Sequence, residues 1–191
     1  MMDQEMITIV SGLPRSGTSM MMKMLEAGGL RVMTDNLRTA DADNPKGYYE
    51  FERVKQIEHD RSWLPEAKGK VVKMISELIK HLPPDYKYKV IFMRRKIEET
   101  LASQRQMLIR RGEPADKVSD ERMAELFRQH LVRLDAWIKK QPNVEIMYVN
   151  YSEIMENPAE HAKQINQFLG NVLNVEAMVD VVDHSLYRQR R

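Results

Sequence analysis

The residues best suited to chemistry lie near the start of the chain, in the segment 11–19, Ser-Gly-Leu-Pro-Arg-Ser-Gly-Thr-Ser. Gly12 and Gly17 have the Gly-x-x-x-x-Gly spacing of phosphate-binding loops, and the hydroxyl-bearing Thr18 and Ser19 follow directly. Glycine tolerates backbone angles that turn several N–H groups toward one anion, and a helix starting there would add the positive end of its dipole. The pattern predicts a phosphate site; the alternative is a tight strand-to-helix turn that binds nothing.

One position separates this loop from that of a nucleoside-triphosphate kinase. A kinase loop of this spacing carries lysine directly after its second glycine, whereas this chain has Thr18 there and its nearby cation is Arg15. No predicted strand ends in an isolated aspartate suited to Mg²⁺, and the strand 88–93 runs into Arg94 and Arg95 instead. We therefore expect a site that neutralises anions with side chains and holds no metal. An atypical P-loop kinase is the less favoured alternative.

The elements that must position this loop follow from the apolar pattern. Short apolar runs rich in β-branched residues predict strands at 6–10, 70–75, 88–93 and 144–149. Helical spacing and cap residues predict helices at 18–27, 48–61, 97–111, 120–140 and 158–169. Because strands alternate with helices, we expect an α/β fold: a three-layer sandwich with a central, mainly parallel sheet and a P-loop-like phosphate-binding loop. The length of 191 residues favours a single domain over 1–191.

Composition narrows the possible functions. The net charge is +2, so we expect no concentrated basic face and no nucleic-acid partner. The chain has no cysteine, which excludes disulfides, cysteine–zinc sites and a cysteine nucleophile. No stretch approaches the ~18 apolar residues of a membrane span. The N-terminus shows no targeting signal, and a cytoplasmic location is expected.

Three motifs, in order along the chain, resemble the sulfotransferases that use 3′-phosphoadenosine 5′-phosphosulfate (PAPS). The segment 14–19 resembles the loop that holds the 5′-phosphosulfate in that family. The strand 89–93 running into Arg95, with Ser103 further on, is similar to its 3′-phosphate site. A tail pattern within 149–170 is similar to the end of the family's domain. From general chemistry, an arginine at the carboxyl end of a parallel strand also suits a phosphate, because its planar fork matches phosphate oxygens.

The resemblance implies transfer of a sulfuryl group from PAPS to a hydroxyl or amine acceptor by in-line displacement, with 3′-phosphoadenosine 5′-phosphate (PAP) as the second product and no metal. The implied donor-binding residues are Gly12, Pro14, Arg15, Ser16, Gly17, Thr18, Ser19, Arg95 and Ser103. Arg188, in the basic tail, is a further candidate for the 3′-phosphate; a solvated chain end is the alternative. The acceptor class, whether small molecule, sugar, lipid or peptide, and the oligomeric state are not indicated.

The resemblance also implies three catalytic residues: Arg15, Lys73 and Glu50. Lys73 matches the family lysine that contacts the transferring group. In the cytosolic small-molecule branch a catalytic histidine stands two residues later, but here that residue is Ile75, which cannot accept a proton. Other branches use a glutamate after the first helix, and Glu50 is the candidate for that general base. The other side chains that could face the cleft are Asp41, Asp43, Glu52, His59, Asp60 and Glu77. A non-catalytic nucleotide-binding module of the same fold is the alternative to an enzyme.

Overall fold

The computed structural model describes residues 5–35, 49–114 and 117–183 of the chain. Its strands are β1 (Met6–Gly12), β2 (Val32–Met33), β3 (Val71–Lys73), β4 (Lys87–Arg94) and β5 (Val144–Asn150). Its α-helices are α1 (Thr18–Ala27), α2 (Leu64–Ala67), α3 (Ile97–Arg110), α4 (Asp120–Ile138), α5 (Tyr151–Glu156), α6 (Pro158–Phe168) and α7 (Val175–Asp180). Two 3₁₀ helices cover Glu52–Gln56 and Ser76–His81.

The described strands form one sheet in the order β2-β3-β1-β4-β5, and every pair of neighbours is parallel. β1 is the central strand, with Val10 opposite Lys73 of β3 on one side and opposite Ile91 of β4 on the other. The chain passes from β1 outward to β2 and later crosses from β3 to β4, so the strand order reverses at β1. In open α/β sheets, ligands bind outside the carboxyl ends of the strands at such a point. The α/β prediction is confirmed, and the sheet is parallel throughout the described strands.

Helices cover both faces of the sheet, which gives the predicted three layers. Alternate strand residues face opposite layers. Val10 and Ile91 belong to a core that includes the buried side chains of α1, α5, α6 and α7, whereas Ile9 and Val90 belong to a second core with residues of α2 and α4. Burial on both faces explains why these strands read as continuous apolar runs in the sequence.

The helix predicted over 48–61 is wrong where the structure describes it. A 3₁₀ helix covers Glu52–Gln56 only, and turns follow. Arg53 pairs with Asp60, which lies in the turns after the 3₁₀ helix, at 3.0 Å. The segment ends at the fully buried Trp63. Compaction around this buried ring overrides the local helical pattern.

A partly buried histidine links the 3₁₀ helix after β3 to α4. His130 Nε2 lies 2.8 Å from Ser76 Oγ, and its Nδ1 lies 3.6 Å from a Glu77 carboxylate oxygen. Burial lowers the pKa of His130; Glu77 opposes this shift, and the charges of Arg133 and Lys80 add to it.

We expect this histidine to make the fold less stable in mild acid. Because its folded-state pKa is lowered, the unfolded chain binds the proton more readily, so stability is complete above the ordinary histidine pKa of ~6.5 and declines as pH falls through it. His130→Gln should lose less stability than the unsubstituted protein between about pH 7.5 and pH 5, measured by urea unfolding. His59→Gln, on an exposed histidine, is the control. An equal acid-dependent loss in both variants would contradict this assignment.

Candidate active site

The phosphate loop joins β1 to α1. The backbone N–H of Ser16 donates to the carbonyl of Leu13 at 3.2 Å, and its hydroxyl donates to the same oxygen at 2.7 Å, which closes the turn. The N–H of Met21 donates to the carbonyl of Gly17 at 3.1 Å, and no side chain of the described residues caps the start of α1. The first N–H groups of the helix are thus presented at the loop, where an anion would satisfy them.

Both glycines are required by the backbone geometry of the loop. Gly17 has φ 98°, and a Cβ there would lie 2.4 Å from the ring of Tyr151. A Cβ on Gly12 would lie 2.4 Å from Ser16 Oγ and 2.7 Å from the carbonyl oxygen of Met93. The Gly-x-x-x-x-Gly spacing therefore reflects two close approaches of neighbouring groups to the loop backbone.

Arg15 connects the loop to α3. Its φ of 66° lies in the left-handed region, a conformation that costs a non-glycine residue about 1–3 kcal/mol and is concentrated at functional sites. Its Nε donates to Ser103 Oγ at 3.1 Å, and Ser103 is buried in α3. The loop and the helix that follows β4 therefore meet through this arginine.

Arg95 follows β4 and lies against the same loop. Its side chain is only 9% exposed, and its Nη1 donates to the carbonyl of Arg15 at 3.3 Å. Its Nε pairs with Glu99 at 3.0 Å, and its guanidinium carbon lies 4.7 Å from the ring centre of Tyr151. The structure thus joins Arg15, Ser103 and Arg95, which belong to two separate sequence motifs, in one cluster.

The neighbouring Arg94 points elsewhere. Its guanidinium lies over the ring of Tyr148 at 3.6 Å and pairs with Asp135 at 3.4 Å. Burial and the hydrogen bond to Asp135 raise the pKa of Tyr148 to about 12, so its hydroxyl remains a donor at neutral pH. Arg94 is therefore anchored on α4 and β5, away from the loop.

Lys73 and Glu50 meet beside the start of α1. Lys73 Nζ lies 3.5 Å from Ser19 Oγ and 3.9 Å from Glu50 Oε1, with the two charged side chains 13% and 23% exposed. The backbone of Glu50 is held by Thr34 Oγ1, which donates to its carbonyl at 2.8 Å, and by the N–H of Asp35 at 3.2 Å. An ammonium and a carboxylate therefore stand next to the hydroxyl of the loop.

The predicted site residues within the described chain fall into these clusters. The loop and the first turn of α1 hold Gly12, Pro14, Arg15, Ser16, Gly17, Thr18 and Ser19. Arg95 and Ser103 lie beside Arg15, and Lys73 and Glu50 lie beside Ser19. Arg188, Asp41 and Asp43 lie outside the described residues.

Other candidates for the base have partners away from the loop. Glu52 pairs with Lys55 on the surface, and Asp60 pairs with Arg53. Ile75, two residues after Lys73, has no group that could accept a proton, and it is 50% exposed. Among the candidates that the structure describes, Glu50 is the one with a contact to Lys73.

Two residues of the Arg95 cluster, Glu99 and Tyr151, were not predicted from the sequence. Glu99 follows Arg95 by one helical turn, and the i,i+4 spacing of two opposite charges could have predicted their ion pair. Tyr151 lies within the tail motif, but nothing in its spacing indicates a contact with Arg95 or Gly17. Its position follows from the pairing of β5 with β4.

The described residues contain neither a candidate metal cluster nor a candidate membrane span. No group of three or more histidine, aspartate or glutamate side chains there is arranged to hold a metal ion. No described helix has the length and apolar character needed to cross a membrane.

Comparison with known proteins places the chain in a family. No curated protein matches it by sequence. A sulfotransferase domain from the olefin synthase of Synechococcus PCC 7002 shares its fold, with a TM-score of 0.55 and 12% identity, covering 98% of this chain and 81% of that one. A sulfotransferase domain from the curacin biosynthetic pathway gives a TM-score of 0.52 and 12% identity, covering 96% of this chain and 82% of the other. The family model described as the sulfotransferase domain matches residues 6–191, and the chain belongs to this family.

Proposed function

We propose that this chain transfers the sulfuryl group of PAPS to a hydroxyl or amine acceptor. The observation that carries the proposal is the direct connection between the loop after β1 and the basic residue after β4, at one edge of the sheet. Arg15 of the phosphate loop bonds Ser103, and Arg95 bonds the backbone of Arg15. Adjacent basic elements of this kind suit a nucleotide that carries anionic groups on both its 5′ and 3′ positions.

The residues present fit such a donor. The N–H groups at the start of α1, with Thr18 and Ser19, would hold the 5′-phosphosulfate, and Gly12 and Gly17 allow the loop backbone to adopt the shape that presents them. Arg95 and Ser103 would hold the 3′-phosphate, and Arg188 remains a candidate for the same group. Cationic and hydroxyl side chains surround this region, which suits anion binding without a metal.

In the proposed reaction the acceptor oxygen or nitrogen attacks sulfur, a new bond to sulfur forms, and the bond from sulfur to the 5′-phosphate oxygen breaks to release PAP. Glu50 takes the proton that the acceptor loses. Arg15, Lys73 and the loop N–H groups stabilise the negative charge that develops on the leaving phosphate. The contacts of Lys73 with both Ser19 and Glu50 support this placement between donor and base.

Binding of PAP, measured by calorimetry beside adenosine 5′-phosphate, ADP and ATP·Mg²⁺, tests the donor assignment. We expect PAP to bind more tightly than the other nucleotides and with the same affinity in the presence of a chelator, because side chains supply the countercharge. Preference for ATP·Mg²⁺ would contradict the proposal and favour an atypical P-loop kinase.

A non-catalytic nucleotide-binding module is the second candidate, because Ile75 stands where one branch of the family has its catalytic histidine. It would bind PAP and PAPS without forming PAP from PAPS across a panel of phenols, alcohols and amino sugars. The proposal treats residues 1–191 as one sulfotransferase-like domain. Its acceptor belongs to one of four classes: small molecules, sugars, lipids or peptides.

A further inference from the structure

Glu99 is a buried carboxylate inside the cluster proposed to bind an anion. Its side chain is 2% exposed, and its Oε2 accepts a hydrogen bond from Arg95 Nε at 3.0 Å. A negative charge here works against anion binding, because it offsets part of the positive potential of Arg95. The Glu99 carboxylate therefore cannot serve the site by attracting an anionic ligand, and another role must be sought in its contacts.

The contacts of Arg95 indicate that this role is orientation. Glu99 accepts a hydrogen bond from Nε, the carbonyl of Arg15 accepts one from Nη1, and the guanidinium carbon lies over the ring of Tyr151. Because both hydrogen bonds come from nitrogens of one planar group, they restrict its orientation as well as its position. An arginine ordered in advance loses less side-chain entropy when it binds a phosphate, and its fork is already aligned.

We propose that Glu99 is a positioning residue that fixes the guanidinium plane of Arg95 and thereby gives the site its preference for a nucleotide with a 3′-phosphate. This inference rests on the proposed function, in which Arg95 binds that phosphate. The effect of Glu99 on the orientation of Arg95 can be distinguished from the effect of its charge, because the two change nucleotide affinity in opposite directions. Loss of orientation weakens binding of the 3′-phosphate, whereas loss of the negative charge alone strengthens binding of any anion.

The test compares PAP with adenosine 5′-phosphate by calorimetry in Glu99→Met and Glu99→Gln. Methionine keeps the length of the side chain without an acceptor, and glutamine keeps an acceptor without the charge. We expect Glu99→Met to reduce the ratio of PAP to adenosine 5′-phosphate affinity by up to about 10-fold, the effect of ordering one flexible side chain on binding. Glu99→Gln should lie between Glu99→Met and the unsubstituted protein.

Glu98→Gln is the matched control, because Glu98 is exposed on the same turn of α3 and pairs with Arg128. In an Arg95→Lys background, which lacks the fork, Glu99→Gln should no longer change the affinity ratio. If Glu99 had a purely structural role, its substitution would weaken the binding of both nucleotides equally. If Glu99→Met does not fold, Glu99→Gln still shows whether the ratio of PAP to adenosine 5′-phosphate affinity falls or rises.

The outcomes distinguish this inference from the function on which it rests. An unchanged or higher ratio in the Glu99 variants, with PAP preferred by the unsubstituted protein, overturns the positioning role and leaves the donor assignment standing. No preference for PAP in the unsubstituted protein overturns both.

Discussion

Glu50→Gln is expected to lower turnover by about 10²–10⁴-fold while leaving the affinity for PAP nearly unchanged. Glutamine matches glutamate in size and can keep the contact with Lys73, but it cannot take a proton from the acceptor. The 3.9 Å separation of Glu50 and Lys73 places the carboxylate beside the residue proposed to stabilise the transferring group. The loss should therefore appear in kcat and not in donor binding.

The rate of PAP formation from PAPS with a panel of phenols, alcohols and amino sugars measures this effect, and calorimetry with PAP measures binding. Glu52→Gln is the matched control, because Glu52 lies two residues further on and pairs with Lys55 on the surface. Full turnover in Glu50→Gln would contradict the base assignment. Asp41→Asn and Asp43→Asn would then be the next variants to test.

The sheet and the phosphate loop could be predicted from the sequence because their signals are local. Strand segments buried on both faces are largely apolar, and the buried run 90–93 of β4 shows this directly. The spacing of Gly12 and Gly17 reflects close approaches to the loop backbone that no side chain could share. Met93 and Tyr151, which make two of these approaches, are distant in the chain, but the glycines that they require are visible in the sequence.

The helix predicted over 48–61 shows where local patterns are ambiguous. Phe51, Val54 and Ile57 recur every third residue, a spacing that fits a 3₁₀ helix as well as one face of an α-helix. The packing of Phe51 against the buried Trp63, with ring centres 5.7 Å apart, depends on tertiary contacts that the pattern does not encode. β2 was missed because two residues are too few to show a period.

The sequence indicates which residues belong to the candidate site, but it does not indicate which of them contact one another. Arg15, Arg95 and Ser103 were assigned to the donor, yet nothing in their spacing predicts that Arg15 bonds Ser103 or that Arg95 bonds the carbonyl of Arg15. Those contacts arise because β1 and β4 are neighbours in the sheet. Tyr151 joins the cluster in the same way, through the pairing of β5 with β4.

Arg95→Ala is expected to weaken PAP binding by about 2–5 kcal/mol, at least about 30-fold, because it removes one partner of a buried, charge-assisted contact. Adenosine 5′-phosphate should lose much less affinity, since it lacks the group that Arg95 is proposed to bind. Calorimetry with both nucleotides measures the difference. The alanine also breaks the buried ion pair between Arg95 and Glu99, and breaking such a pair costs about 3–5 kcal/mol of stability. Arg95→Lys therefore accompanies it, keeping the charge while removing the fork.

Arg94→Ala is the matched control, and it separates charge from geometry. Arg94 and Arg95 are adjacent and each carries one positive charge, but Arg94 lies over Tyr148 whereas Arg95 lies against the loop. If the site attracts the donor through net charge, the two alanine substitutions should weaken PAP binding to a similar extent, and both losses of affinity should be larger at low salt. If the fork of Arg95 binds the 3′-phosphate, Arg94→Ala should bind PAP normally and Arg95→Lys should resemble Arg95→Ala. Equal losses in Arg94→Ala and Arg95→Ala would contradict the assignment of Arg95.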